Sequence, residues 1–480
     1  MQMDVERVRP LIPNEAKKRL IQVVGAENYD DTKTGRLVYS YDATPQFQSL
    51  PDAVIAPRNT KEVAEIAKIC NEYRIPIVPR GSGTNLCAGT CPVEGGIVLL
   101  FNHMNRILEI DEENLTATVQ PGVVTLDLAK AVEEKGLFYP PDPGSMNIST
   151  IGGNISENSG GLRGLKYGVT RDYVLGLEVV LANGDVIRTG GKLAKDVAGY
   201  DLTRLFVGSE GTLGIVTEAT LKLIPMPETK QTMLALYQDL EAAARSVSKI
   251  IANKIIPATL EFLDQPTLEV VEDFARIGLP TDVKAVLLIE QDGPKEVVER
   301  DMKKMADICR AEQAVSVQLA RSEEEAEALR TARRAALSAL ARLKPTTILE
   351  DATVPRSEIA KMVKAINEIA EKYQLKICTF GHAGDGNLHP TCPTDARNRE
   401  EMERVERAFE EIFAKAIELG GTITGEHGVG VMKAPYLEWK LGPAGIAAMK
   451  AVKQALDPNN IMNPGKVFAK STRKRVVVTR

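Results

Sequence analysis

The chain is short of the features that would mark it as a membrane protein, a nucleic-acid binder or a disulfide-stapled secreted domain. It carries six cysteines in 480 residues, none in a Cys-x-x-Cys pair and no four spaced for an iron–sulfur cluster. Cys87 and Cys91, four apart in a glycine-rich stretch, have no second pair to complete a zinc site. Scattered thiols of this kind fit a reducing compartment, so the expected location is cytoplasmic. No apolar run reaches the roughly 20 residues that span a bilayer, and the first residues, MQMDVERVRPLIP, have neither the apolar core of a secretory signal nor the acid-free composition of a transit peptide. The net charge of −5 leaves no basic face for a nucleic-acid binder. Histidine is also scarce, with four residues in all, so the places where they fall carry weight.

What is present reads as a globular chain too long for one core. The stretch from residue 51 predicts a strand over 53–56, an amphipathic helix over 61–73 with Thr60 as its N-cap, and a strand over 77–79 that ends in a glycine turn. Short β-rich runs then dominate to residue 225, with Asn183-Gly184 marking a hairpin at which both residues are expected to take positive φ. Beyond Pro225 and Pro227, strand-like runs alternate with charged helices, among them 322–343 and 396–419, and a last helix runs to Leu456. No short-period repeat or low-complexity linker interrupts the chain.

Three clusters of glycine and small hydroxyl residues stand out. The first is Pro79-Arg80-Gly81-Ser82-Gly83-Thr84-Asn85, directly after a predicted strand. The second is distributed over Pro143-Gly144-Ser145, Thr150, Gly152-Gly153-Asn154, Ser159-Gly160-Gly161 and Tyr167-Gly168. The third contains Glu210, Gly211, Gly214 and Ile215. One such cluster could be a plain surface turn. Three in order would be costly in a core without a ligand, because glycine packs nothing and loses much entropy on folding. They suit backbone laid closely along a long flat cofactor, with amides turned toward phosphate. The spacing does not match a G-x-G-x-x-G fingerprint, which argues against a nicotinamide enzyme.

Three of the four histidines, His382, His389 and His427, lie in the glycine-rich segments FGHAGDGNLHP and TGEHG, the last beside Glu426. A tight turn at Asp385-Gly386 between two strands can bring His382 and His389 to one side. With the Glu426 carboxylate they form a two-His, one-carboxylate set with open positions for Zn²⁺, Fe²⁺ or Mn²⁺. His427 is the candidate general base, since imidazole is the side chain that ordinarily exchanges protons near neutrality. On the predicted helix over 322–343, Arg330 and Arg334 are spaced to share a face, and arginine's planar fork fits a carboxylate. By itself such a basic run is more often a solvated face.

These motifs resemble the PCMH-type (vanillyl-alcohol oxidase) FAD-binding superfamily, and the histidine segments resemble its D-lactate dehydrogenase / glycolate oxidase large-subunit branch, over roughly residues 45–468. The resemblance implies an α+β fold: a PCMH-type FAD-binding domain of two α/β subdomains, an α+β cap domain and a C-terminal return segment. The corresponding division is a helical lead-in (1–46), the FAD-binding domain (47–226), the cap or substrate domain (227–420), the return segment (421–468) and a basic tail (469–480). It implies that residues 80–85 and 152–154 hold the pyrophosphate, that 143–145, Tyr167, Gly168 and Ile215 line the rest of the FAD, and that Asn463 approaches the flavin ring. Residues matching His382, His389 and Glu426 ligate a metal in that family, the one matching His427 lies by the substrate, and Arg330 matches a substrate-binding arginine. Some relatives bind flavin covalently through a histidine at the place of Thr84. With no histidine before His103, non-covalent FAD is expected.

The activity so implied is oxidation of a small D-2-hydroxy acid, D-lactate first and glycolate next, by hydride transfer to flavin N5. The electrons would pass to a partner protein, an electron-transferring flavoprotein or an iron–sulfur subunit. A D-2-hydroxyglutarate-type dehydrogenase is the alternative. Relatives of that branch place a lysine near the strand matching 348–351, whereas Glu350 and Asp351 here would repel a second carboxylate. A further alternative is a non-catalytic flavin-carrying subunit of a larger complex.

Overall fold

A computed structural model describes residues 12–44 and 46–468. The predicted basic tail and the first eleven residues lie outside this range. Three larger sheets organise the described residues, beside a two-stranded pair of Leu137–Phe138 with Ile224–Pro225.

The first lobe is a four-stranded sheet in the spatial order Tyr29–Asp30, Ala53–Ile55, Ile97–Leu100, Ile77–Arg80, the last three strands parallel. Parallel pairing requires a crossover, supplied by the helix Thr60–Tyr73, which packs Val63, Ile66, Ala67 and Ile69 onto Ile55, Ile77 and Leu99. Its N-cap is Asn59, not Thr60. The Asn59 side chain accepts from the Glu62 amide, and the Thr60 hydroxyl instead donates to Glu178 Oε1 at 2.6 Å. The chain's end adds to this lobe: Met462 bridges Ile77 in parallel, and the Asn463 amide donates to the Ile77 carbonyl at 2.8 Å.

The second lobe is a five-stranded antiparallel sheet in the order Ile107–Asp111, Thr116–Val119, Ile215–Lys222, Val174–Val180, Val186–Gly190. Strand 215–222 alternates strictly, burying Ile215, Thr217, Ala219 and Leu221. The predicted hairpin at Asn183-Gly184 forms, but only Gly184 takes positive φ (82°). Asn183 stays on the ordinary side, and its side chain accepts from the Asp185 amide.

The cap holds an antiparallel sheet in the order Ser316–Leu319, Thr229–Tyr237, Ala285–Gly293, Thr259–Asp264, Cys378–His382, Asn387–Thr394, Thr346–Leu349, with the short strand Ala352–Thr353 also pairing Asn387–Thr394. Helices Leu240–Ala252, Lys295–Ala311, Ile359–Tyr373 and Arg399–Glu418 cover one face. Gln265–Ala275, Glu323–Arg334 and Ala336–Leu340 cover part of the other. Because side chains alternate along a strand, Leu260 and Phe262 enter the first core, while Glu261 and Leu263 turn to the opposite face along with Phe380, His382 and His389. Phe380, His382 and His389 on that face line a cavity shared with Pro79 of the first sheet and Ile215 of the second. No helix among the described residues is long and apolar enough to cross a membrane.

Candidate active site

A cavity of about 870 Å³ runs between the two lobes and the cap. All three glycine clusters reach it. Of the predicted cofactor residues, 79–85, 143–145, Thr150, 152–154, Ser159, Gly160, Glu210, Gly211, Gly214, Ile215 and Asn463 line its wall. Gly161, Tyr167 and Gly168 do not. A Cβ on Gly161 would come within 2.4 Å of the Asp142 carbonyl oxygen, so that glycine serves backbone packing. The Tyr167 hydroxyl donates to the Asp292 carboxylate at 2.9 Å, fastening the FAD lobe to the cap. Arg80 lines the wall, and its guanidinium donates to the Tyr41 carbonyl at 2.7 Å.

The lining fits FAD. A Cβ on Gly81 would meet Thr150 Oγ1 at 2.2 Å and one on Gly152 would meet the Pro121 Cβ at 2.5 Å, so both positions let the backbone pack closely against a neighbouring side chain at the cavity edge. Asn463 is buried and its Oδ1 has no hydrogen-bond partner, an acceptor awaiting a ligand.

The predicted histidines converge. His382 Nε2 lies 3.2 Å, His389 Nε2 3.3 Å and His427 Nε2 3.6 Å from the same oxygen, Glu426 Oε1. The turn at Asp385-Gly386, with Gly386 at φ 89°, joins the strands that carry the first two. Their rings meet edge-on at 5.1 Å, and His389 and His427 stack at 5.0 Å. Behind them, Glu261 Oε1 lies 2.8 Å from His382 Nδ1, the carboxylate–imidazole arrangement that orients metal-ligating histidines. Burial opposes charge on His382, but the Glu261 and Glu426 carboxylates outweigh it and lift its pKa well above the ordinary value. Burial holds His389 down to about 4, so it is neutral, as a ligand imidazole must be. For Glu426 burial pulls upward, yet the imidazoles, His382 foremost, keep its pKa far below the usual range. The donor set is that of a two-His, one-carboxylate metal site with open positions.

Asp351 shapes the loop that carries Glu426 and His427. Its Oδ2 accepts from the amides of Gly425, Glu426 and His427 at 2.7, 3.0 and 3.3 Å and from the Thr424 hydroxyl at 2.9 Å. Neither Glu350 nor Asp351 lines the cavity. Both are fully buried, 3.6 and 3.9 Å from the Lys433 ammonium. The expectation that they repel a second substrate carboxylate therefore falls, because their charge is turned inward and countered by Lys433.

Arg330 also departs from expectation. It is 3% exposed and faces the cap sheet, paired with Glu290 and, at 2.6 and 2.8 Å, with Glu323 and Glu327. It does not reach the cavity. Arg334 does, with its Nη2 3.5 Å from Asp142 Oδ2. So does Arg333, which sequence reasoning passed over. It lies 2.6 Å from Glu261 Oε2 and 4.8 Å over the Phe380 ring. Arg333 and Arg334 both line the cavity, and the Nε groups of both are buried without hydrogen-bond partners. Helical spacing could have found Arg333 only with knowledge of which face covers the sheet.

A glycine-walled cavity sized for a dinucleotide, closed by imidazoles and guanidiniums, defines a flavin-dependent oxidoreductase. The sequence matches the FAD binding domain over residues 51–190 and the FAD linked oxidases, C-terminal domain, over residues 226–467. The chain belongs to the FAD-linked oxidase family. It is 78% identical over 470 residues to the glycolate oxidase subunit GlcD of Bacillus subtilis, covering 98% of this chain and all of the relative. It is 36% identical to a D-lactate dehydrogenase of Anaerostipes hadrus, covering 97% of both chains. Among solved structures, the 4-ethylphenol oxidase of Gulosibacter chungangensis superposes with a TM-score of 0.78 at 20% identity, over 98% of this chain and all of that one, and so shares the PCMH-type fold. The protein is an FAD-dependent hydroxy-acid oxidoreductase.

Proposed function

We propose that the chain oxidises glycolate, with D-lactate as a second substrate, to the 2-oxo acid, as a catalytic subunit that hands its electrons to a protein partner. The relative at 78% identity carries the glycolate name, whereas the D-lactate dehydrogenase named above is at 36%. The observation that carries the chemistry is the meeting of three imidazoles and Glu426 beside two guanidiniums in one flavin cavity.

Bound FAD supplies the hydride acceptor. A divalent metal held by His382, His389 and Glu426 would lower the pKa of the substrate hydroxyl. The chain's own groups do the rest. Arg333 and Arg334, both on the cavity wall, hold the substrate carboxylate through their guanidinium N–H groups. His427 receives the hydroxyl proton at Nε2, and the Asp351 carboxylate, which holds the His427 backbone amide, lies 3.7 Å from Nδ1. Glu350 and Asp351 do not line the cavity, so monocarboxylate preference rests on the space between the arginines and the imidazoles. The electron acceptor is an electron-transferring flavoprotein or an iron–sulfur subunit, since this sequence has no cluster or haem motif of its own. Six buried, unpaired cysteines support a reducing, cytoplasmic setting.

Anaerobic mixing with glycolate, D-lactate, L-lactate and D-2-hydroxyglutarate, followed by flavin absorbance, tests the assignment. Glycolate and D-lactate bleach the flavin. His427→Gln keeps the yellow cofactor and slows bleaching by about 10²–10⁴, and chelation slows it without releasing FAD. Faster bleaching by 2-hydroxyglutarate, or full-rate bleaching in His427→Gln, rejects the reading.

A further inference from the structure

One corner of the cavity is not used by the steps above. The first glycine loop, the end of helix Ile151–Glu157 and the loop after His427 meet at the Glu157 carboxyl. A Cβ on Gly89 would stand 2.9 Å from its Oε1, and a Cβ on Gly428 would stand 2.1 Å from its Oε2. Gly428 follows His427 directly, so the corner adjoins the reacting end of the cavity, and Glu157 lines the wall there.

The groups facing this carboxyl are the Cys87 thiol, 3.8 Å from Oε2, and the Glu210 carboxylate, with Asp42 and Lys433 acting from farther off. Lys433 is turned to Glu350, Asp351 and the Thr424 hydroxyl. Glu210 accepts from the amides of Val429 and Gly430 at 2.7 Å each, so it is the better anion of the two acids. Two buried carboxyls this close do not both ionise. Burial first, and then the Glu210 and Asp42 charges, raise the pKa of Glu157 well above the ordinary carboxyl value.

A second observation points from the same corner to a ligand. Asn463, 2% exposed, donates from Nδ2 to the carbonyls of Gly89 and Glu210 at 2.9 and 2.7 Å. Those two bonds fix the amide, so the unpartnered Oδ1 is an acceptor by necessity. The corner therefore offers one O–H donor and one bare acceptor. A flavin ring presents both complementary kinds along its heteroatom edge.

We propose that Glu157 donates a hydrogen bond from its carboxyl O–H to the bound flavin, opposite the acceptor Asn463 Oδ1, and that this bond sets the flavin's reduction potential. A donor facing the ring favours the more electron-rich, reduced form. The proposal rests on FAD occupying this cavity and is independent of which hydroxy acid is oxidised.

The test uses the FAD-loaded protein titrated with a chemical reductant, so a wrong substrate cannot fail it. Glu157→Ala lowers the preference for reduced flavin about tenfold, equivalent to about 30 mV for a two-electron couple. Glu157→Gln, which keeps an uncharged donor, stays close to the native value. In flavin-free protein, infrared difference spectra at neutral pH show the carbonyl stretch of a protonated carboxylic acid, and Glu157→Gln loses it. If Glu157→Ala loses its flavin, Glu157→Asp, with the carboxyl drawn back by one methylene, gives the same downward shift. An unchanged potential in the variant that holds flavin, or no acid band to lose, overturns the proposal.

Discussion

Arg330 and Arg333 stand three residues apart on one helix and serve different ends. Arg330 neutralises Glu290 between helix and sheet, while Arg333 looks into the cavity. Arg330→Met strands a buried carboxylate and is expected to cost about 3–5 kcal/mol of stability, read from the urea midpoint. Arg333→Lys keeps the charge and loses the fork. It should leave stability nearly unchanged and raise the KM for glycolate about ten- to hundredfold, the value of a charged hydrogen bond. Equal KM effects from Arg330→Lys and Arg333→Lys would contradict the assignment. At this scale the scarce residue types were the legible ones. Three of four histidines lay in glycine-rich segments, and the structure brings their Nε2 atoms within 3.6 Å of one carboxylate oxygen. Arginine is common, and a helix hides which of its arginines faces inward until its packing partner is known.

At the scale of elements, periodicity located the helix Thr60–Tyr73, the strands on either side of it and the histidine hairpin, because each carries its pattern within a few residues. Its errors lay at boundaries. The helix is capped by Asn59 because that residue is extended (φ −161°) and its side chain meets the Glu62 amide, while Thr60 has already turned helical. Asn59→Ala should lower stability by about 1 kcal/mol and Asn59→Asp by much less, measured by denaturant unfolding. The predicted long helix over 322–343 breaks into Glu323–Arg334 and Ala336–Leu340, a division that turns Leu337 and Ser338 toward the cavity along with the arginines. No glycine or proline marks that break, so the sequence held no signal for it.

For the whole molecule, function depends on how lobes and cap are held together. Tyr167 and Lys166 grip Asp292, Glu210 accepts from Val429 and Gly430, and Asn463 reaches back to Gly89. Each tie crosses more than a hundred residues of chain and ends at or near the cavity. Thr84 holds the place at which some relatives anchor flavin through histidine, and the one histidine of the FAD lobes, His103, does not line the cavity. Acid precipitation is therefore expected to release FAD into the supernatant. Yellow colour retained in the pellet would show a covalent link.

The sequence alone determined the flavin class, the two glycine-lined lobes and the histidine set, because local backbone demands and rare side chains are written in short segments. Only the tertiary structure decided that Arg333 and not Arg330 lines the cavity, that Asp351 holds the loop of His427 while Glu350 lies buried near Lys433, and that Glu157 stands beside Glu210. Those outcomes depend on which charges become neighbours across long stretches of chain, and burial then sets the protonation of each group.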